Sequence, residues 1–130
     1  MQIFYIPKDF SDPELIIRFL NDENALVLKT NAFNSEEEAQ LAYFLAKKSF
    51  NDKSNIAKKF KYEFLLFLTG KIDIKSAANS SLIQSNLSKD AILIAFDEKA
   101  SIPKHLKKHK LQKNANPLDL ERISLSRIKN

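Results

Sequence analysis

The stretch Lys61-Tyr-Glu-Phe-Leu-Leu-Phe-Leu-Thr-Gly-Lys-Ile-Asp-Ile74 is the part of the chain on which the prediction of the fold depends. Between residues 62 and 68 only Glu63 is polar, and the run ends at Gly70, the single glycine of the protein. A chain that uses one glycine predicts that this position needs a positive φ or the close approach of another segment. A short apolar run with aromatic rings and a turn signal behind it predicts a strand buried on both faces. The alternative is a helix that Ser54 would cap, because periodicity alone does not separate a buried strand from a buried helix.

Length and composition predict one globular domain that spans residues 1–130. The chain has 130 residues, of which 44% are hydrophobic, enough for a single core. The sequence has no run of about 18 apolar residues, so it predicts no membrane span. The first residues lack the features of a signal peptide. The sequence contains no cysteine, which excludes disulfides, thiolate metal ligands and cysteine nucleophiles. We therefore expect a cytoplasmic protein.

Charge is distributed unevenly along the chain. Residues 1–46 hold 3 basic and 8 acidic side chains, a net charge of −5. Residues 47–130 hold 18 basic and 8 acidic side chains, a net charge of +10. Such asymmetry is typical of a protein whose basic part meets a polyanionic partner. The alternative interpretation is a set of solvated lysines on an ordinary surface.

Apolar runs and capping signals outside the central stretch predict alternating strands and helices. Residues 2–6, 25–29 and 91–96 predict three further strands. Three capping signals each predict the start of a helix: Asp12 followed by proline, the capping box of Ser35 with Glu38, and Asp73. The helix after Ser35 is expected to bury Leu41, Phe44 and Leu45.

Two further helices are expected in the last third of the chain. Residues 55–60 predict only a short basic helical turn, whereas residues 101–112 predict a lysine-rich helix and a last short helix begins near Asp119. Together these elements predict the α/β class, as a single-domain sandwich. Its small mixed or antiparallel sheet of four strands would be covered by helices.

A search for catalytic residues identifies no enzyme. One glycine cannot build a phosphate-binding loop. His105 and His109 have a spacing that can hold a metal on a helix, but Leu106 occupies the position of the required glutamate. The lysines around them would repel a dication, and no nucleophile elbow is present. We therefore expect no catalytic site, metal, cofactor or small-molecule substrate.

Basic side chains gather on both sides of the central run. Lysines supply affinity for phosphates, and aromatic rings stack on unpaired bases. If the chain folds back at Gly70, these amines would share one rim beside Phe60 and Tyr62. The alternative is that they are solvent-facing positions of two amphipathic segments. The candidate nucleic-acid-binding residues are Lys47, Lys48, Lys58, Lys59, Phe60, Lys61, Lys71 and Lys75.

The order of several short motifs resembles a known family. Glu63-Phe-Leu-Leu-Phe-Leu-Thr-Gly70 is followed by Ile74-Lys-Ser-Ala77 and later by Ile92-Leu-Ile-Ala-Phe96. This series resembles the small tRNA-binding subunit of the KEOPS complex, the TPRKB family of proteins that bind the PRPK kinase. Asn55-Ile-Ala57 and residues 120–128 fit the same layout, so the resemblance covers residues 35–130. Each motif alone is weak, and the ordered series carries the resemblance.

The resemblance implies a non-catalytic subunit of tRNA processing. Members of the family bind the small lobe of an atypical kinase/ATPase subunit and help to deliver tRNA, including its single-stranded 3′ end, for threonylcarbamoyladenosine synthesis. This chain departs from the family at Ile72 and Asp73, where many archaeal relatives have Arg-Gln, and at Leu82, where a glycine is common. The first departure predicts weaker anion binding there. It leaves open a protein-only regulatory adaptor that binds the kinase and has lost tRNA binding.

An apolar surface patch is the expected contact for the kinase, because exposed apolar patches mark protein interfaces. The candidate residues for this contact are Leu82, Ile83 and Ile123.

Overall fold

The computed structural model describes residues 1–8, 12–83, 89–97, 106–108 and 114–125. The chain forms two compact units. One consists of Met1–Thr30 with Leu82–Lys110, and the other of Asn31–Ser81 with Leu111–Asn130. The predicted α/β class is confirmed, since helices and an antiparallel sheet are both present. The single domain over residues 1–130 stays a prediction.

The first unit is built on an antiparallel sheet of three five-residue strands. β1 (Gln2–Ile6) and β2 (Ala25–Lys29) flank β3 (Ala91–Ala95), and all five residues of β3 are buried. A two-residue segment, β4 (Lys107–Lys108), pairs with the outer edge of β1. Three of the four predicted strands are therefore confirmed, and the prediction of a fourth strand at residues 62–68 is wrong. The prediction of a lysine-rich helix is also wrong at Lys107 and Lys108, because these residues form β4. Most of residues 101–112 lie outside the described residues.

Helix α1 (Pro13–Asn21) covers one face of this sheet. The carboxylate of Asp12 accepts a hydrogen bond from the backbone N–H of Leu15 at 3.1 Å, which confirms the predicted cap. Ile16 and Phe19 of the helix join strand residues spaced two apart, since alternate side chains share a face. This core contains Phe4, Ile6, Ile16, Phe19, Ala25, Val27, Ala91, Leu93 and Leu106.

The second unit is helical within its described residues. It contains α2 (Glu36–Asn51), α3 (Phe60–Thr69), α4 (Ile74–Ser81) and α5 (Pro117–Leu125). The predicted capping box opens α2: the N–H of Glu38 donates to Ser35 Oγ at 3.2 Å, and Ser35 Oγ donates to Glu38 Oε2 at 2.7 Å. α5 begins at Pro117, two residues before its predicted start.

The central run forms helix α3 and not the predicted strand. Every residue from Phe64 to Leu68 is buried, and so are Lys61 and Glu63. A helix that is buried on all sides has no polar face, so its sequence carries no 3.6-residue period. Ser54 does not cap it, because the helix begins at Phe60, with Lys59 at the cap position. The predicted helical turn at residues 55–60 is likewise absent, because residues 55–59 are a non-helical connector and Phe60 is the first residue of α3.

Gly70 shows both of the features that its sequence context predicts as alternatives. Its φ is +71°, and its N–H donates to the carbonyl of Phe67 at 3.2 Å. The next N–H, of Lys71, reaches back to the carbonyl of Leu66 at 3.1 Å, which completes a Schellman motif. A Cβ at this position would lie 2.8 Å from Cγ of Arg122 on α5. Glycine is needed for the left-handed backbone and for the close approach of α5.

The predicted buried face of α2 is only partly correct. Leu41 and Leu45 are half-buried, but Phe44 is 61% exposed. Small side chains occupy the inner face, which allows neighbouring segments to approach closely. The buried residues of α2 are Glu38, Ala39, Ala42, Ala46 and Ser49.

Candidate nucleic-acid interface

The connector between α2 and α3 is held by one buried carboxylate. Glu63 Oε1 accepts hydrogen bonds from the backbone N–H groups of Ile56 at 3.1 Å and Ala57 at 3.0 Å. Its Oε2 accepts a bond from Ser49 Oγ at 2.6 Å, so Glu63 joins α3 to both the connector and α2. Buried charge is tolerated when such bonds replace water. Glu63 therefore gives the connector a defined path without helix or strand structure.

Five exposed lysines surround this connector. Lys47 and Lys48 belong to the last turns of α2, and the others lie in the connector itself. Residues 43–62 contain six lysines and one acidic residue, Asp52, so this region is strongly positive. We call the exposed set the connector lysines: Lys47, Lys48, Lys53, Lys58 and Lys59.

Aromatic rings join the end of α2 to the start of α3. The ring centroid of Phe60 lies 5.6 Å from the ring centroid of Tyr43, in an edge-to-face arrangement. It lies 5.8 Å from the ring centroid of Phe50. The ammonium group of Lys47 lies 4.8 Å from the ring centroid of Tyr43. Phe60 is half-buried, so packing accounts for much of its ring, and it directly follows Lys58 and Lys59 in the sequence.

Lys61 does not belong to the connector lysines. Its residue is only 6% exposed, and its Nζ lies 5.3 Å from the ring centroid of Tyr62. A side chain that contacts phosphate must reach solvent, so the prediction of Lys61 as an RNA contact is wrong. The physical reason is that α3 is buried on nearly all sides, including this position.

Lys71 and Lys75 are exposed, but they lie beyond the other end of α3. A helix of ten residues is about 15 Å long, which separates these amines from Lys58 and Lys59. The lysines that were predicted to share one rim therefore form two clusters of positive charge at opposite ends of α3.

Asp73 and Ile72 change the chemistry of the second cluster. Asp73 Oδ2 accepts bonds from the hydroxyl of Ser76 at 2.7 Å and from its N–H at 3.2 Å, which confirms Asp73 as the cap of α4. The hydroxyl of Ser76 and then its N–H hold the pKa of the Asp73 carboxyl below its ordinary value. The carboxylate is therefore negative at neutral pH, next to Lys75. Ile72 is 64% exposed and adds an apolar side chain where an anion would approach.

The three candidate residues for kinase contact differ in accessibility. Leu82 and Ile83 are half-buried in the first unit, where the N–H of Ile83 donates to the carbonyl of Val27 at 2.9 Å. Ile123 is fully buried in α5. Its prediction as a surface residue is wrong, because it supplies the apolar anchor of a short helix. Leu82 and Ile83 remain accessible in part.

Within the described ranges, no cluster of three histidine, aspartate or glutamate side chains has the arrangement of a metal site. His105 and His109 lie outside those ranges. None of the helices that the structure describes is long and apolar enough to cross a membrane.

Sequence reasoning missed Phe44 and Tyr43 as parts of this surface. It placed Phe44 in the core because leucines flank it at helical spacing. A different signal was available: Ala39, Ala42 and Ala46 recur at spacings of three and four, the pattern of a helix face that packs closely. That pattern turns the opposite face of α2, with Phe44, towards solvent.

No protein-family model and no curated protein matches this chain. The family resemblance therefore rests on the ordered motifs alone.

Proposed function

We propose that this chain is a non-catalytic, cytosolic subunit of the KEOPS type. It binds an atypical kinase/ATPase subunit and recruits tRNA through its single-stranded 3′ end, for threonylcarbamoyladenosine synthesis. The observation that supports this function best is the set of exposed connector lysines beside the aromatic rings of Tyr43 and Phe60. The ordered motif series supports the identity of the complex.

The chemistry of this surface suits an RNA backbone. Ammonium groups bind phosphates without reading the sequence, and they release counterions when they do so. A connector that Glu63 holds by two hydrogen bonds presents Lys58 and Lys59 from a defined backbone. A defined backbone loses less conformational entropy on binding than a disordered one.

The experiment that tests RNA recruitment compares intact tRNA with tRNA that lacks its single-stranded 3′ end. Affinity for the purified chain is measured by fluorescence anisotropy across a series of salt concentrations. We expect tighter binding of intact tRNA at every salt concentration, because the unpaired nucleotides supply contacts that the duplex stem lacks. Equal, weak binding of both tRNAs would leave only non-specific attraction to lysine and would refute recruitment through the 3′ end.

Kinase binding is tested separately by coexpression with a PRPK-like kinase. We expect a stable complex that survives gel filtration, and we expect Ile83→Glu to weaken it. Lys29→Glu, at the end of β2, is the control for added negative charge in the same unit. If neither tRNA nor the kinase binds, the KEOPS proposal is wrong.

A protein-only adaptor is the second candidate function. The observations that favour it are the exposed Ile72 and the negative Asp73 after Gly70, at the place where the resembling family carries a cation. Under this alternative the chain binds the kinase and shows no salt-dependent affinity for tRNA. Strong, salt-sensitive binding of tRNA by the isolated chain would exclude it.

A further inference from the structure

We propose that Phe44, with Lys47 and Lys48, forms a stacking subsite for one unpaired nucleotide of single-stranded RNA. This inference rests on the proposed RNA-binding function and adds to it the position at which a base is held. None of the motifs that resemble the family includes Phe44.

The first observation is the exposure of Phe44 in the middle of a polar helix face. At 61% exposure it presents most of its ring to solvent from the second half of α2. Residues three and four apart on a helix are neighbours, so Lys47 and Lys48 lie one turn after the ring. Gln40 and Leu41 lie one turn before it. Gln40 and both lysines are exposed, and Leu41 is half-buried.

The second observation is that the helix carrying the ring is held at both ends. The capping box of Ser35 and Glu38 fixes its start, and the bond from Ser49 Oγ to Glu63 fixes its end to α3. Lys47 lies with its ammonium group over the ring of Tyr43, on the turn shared with Phe44. Because the backbone is already fixed, only the two side-chain torsions of Phe44 lose freedom when a base stacks on its ring.

Charge favours a nucleic acid over an apolar protein surface as the occupant. An apolar partner would have to cover the lysines next to Phe44 and remove their hydration, which is costly for unpaired charges. A nucleotide satisfies both groups, because its base covers the ring while its phosphates meet the ammonium groups. The strand must be unpaired there, since duplex stacking hides the faces of the bases.

The test measures coupling between the ring of Phe44 and an RNA base. The probes are a short fluorescent oligoadenylate and an abasic oligoribonucleotide of equal length, which has the same phosphates but no bases. The variants are Phe44→Leu, which keeps an apolar side chain without a ring, and Phe44→Tyr, which keeps the ring. Ile17→Ala on α1 removes another exposed apolar side chain and serves as the matched control.

We expect Phe44→Leu to weaken oligoadenylate binding by about 5- to 100-fold and to leave the abasic strand unaffected. Phe44→Tyr and Ile17→Ala should bind oligoadenylate as the parent does. The salt dependence should be the same for Phe44→Leu as for the parent, because no phosphate contact is lost. Equal urea midpoints would show that the variants are folded.

Four results would overturn the subsite. An equal loss for both probes would mean that the ring does not stack on a base. Binding of oligoadenylate that is independent of Phe44 would remove the subsite and leave the proposed RNA-binding function standing. If Phe44→Leu instead weakens only the kinase complex, the ring is a protein contact. Absence of binding to any RNA would overturn both proposals.

Discussion

Gly70 ends helix α3 and is also the position at which helix α5 approaches it. Its positive φ ends α3, and the absence of a Cβ lets the aliphatic part of Arg122 lie against it. The guanidinium group of Arg122 then donates to the carbonyl of Leu68 at 3.3 Å and to Glu38 Oε1 at 3.4 Å. Through these contacts Arg122 holds α5 against both α3 and α2.

We expect Gly70→Ala to lower the free energy of unfolding by about 1–2 kcal/mol through its left-handed backbone alone. The contact with Arg122 adds a further loss, because the new Cβ would lie 2.8 Å from Cγ. Urea denaturation of the parent, Gly70→Ala, Arg122→Ala and the double variant measures the coupling. The glycine substitution should cost less in the Arg122→Ala background. An equal cost in both backgrounds would show that the helix turn alone requires glycine.

Glu63 is the residue on which the path of the connector depends. Glu63→Gln would replace a carboxylate acceptor by a neutral amide oxygen, and we expect a loss of about 1–3 kcal/mol in the free energy of unfolding, because hydrogen bonds to a neutral acceptor are weaker than those to a charged one. Amide hydrogen exchange of Ile56 and Ala57 should accelerate. Ser49→Ala is the control, since it removes one bond to Glu63 and leaves the bonds of the connector in place. Unchanged exchange in Glu63→Gln would mean that other contacts hold the connector.

Helix α3 shows how burial removes a periodic signal from a sequence. Its neighbours α2 and α4 carry capping residues that the sequence reveals, whereas α3 begins at Phe60 and its cap residue, Lys59, makes no side-chain capping bond. Its end was recognised at Gly70, but a glycine after an apolar run marks the end of a strand or of a helix equally well. The local sequence therefore does not decide between a strand and a helix here, and the packing of the second unit does.

Helix α4 depends on the charge state of Asp73. The pKa of this carboxyl lies below its ordinary value in the folded protein, chiefly because of the hydroxyl and N–H of Ser76. A lowered pKa means that its contribution to stability is present above the unfolded pKa, near 4. That contribution is lost as the pH falls through the folded pKa.

We therefore expect the parent to lose stability relative to Asp73→Asn as the pH falls below about 4. Asparagine also caps helices but does not titrate, so it is the matched control for the pH dependence. Asp73→Ala should destabilise α4 above this pH as well. The measurement is the urea midpoint against pH, with amide exchange of α4. A constant difference between the parent and Asp73→Asn across this range would contradict the role of the charge.

Part of the positive charge of residues 47–130 lies in the second unit, and the rest lies in residues 82–110 of the first unit. Residues 1–46 have a net charge of −5 and residues 47–130 one of +10. The connector lysines and the pair of Lys71 and Lys75 account for much of the exposed positive charge in the described part of the second unit. Because α3 separates the two sets, variants of each can be compared at equal net charge.

We expect Lys58→Glu with Lys59→Glu to weaken tRNA binding and to flatten its salt dependence. For a single strand, each lost phosphate contact lowers the slope of log affinity against log salt by about 0.7. Lys8→Glu with Lys89→Glu makes the same change of net charge in the first unit and is the control. Anisotropy titrations across a salt series measure both slopes. Equal slopes for the two double variants would show that tRNA responds to net charge and not to the connector.

The sequence alone was sufficient for β1, β2 and β3, for the capped starts of α1, α2 and α4, and for the need for glycine at position 70. These are local signals, carried by a capping side chain or a run of a few residues, so they do not depend on distant contacts. The tertiary structure decided that residues 60–69 are a helix, that Phe44 faces solvent, and that Lys61 and Ile123 are buried. Each of these outcomes depends on which distant segment covers a given face. An apolar or charged residue type does not by itself specify that partner.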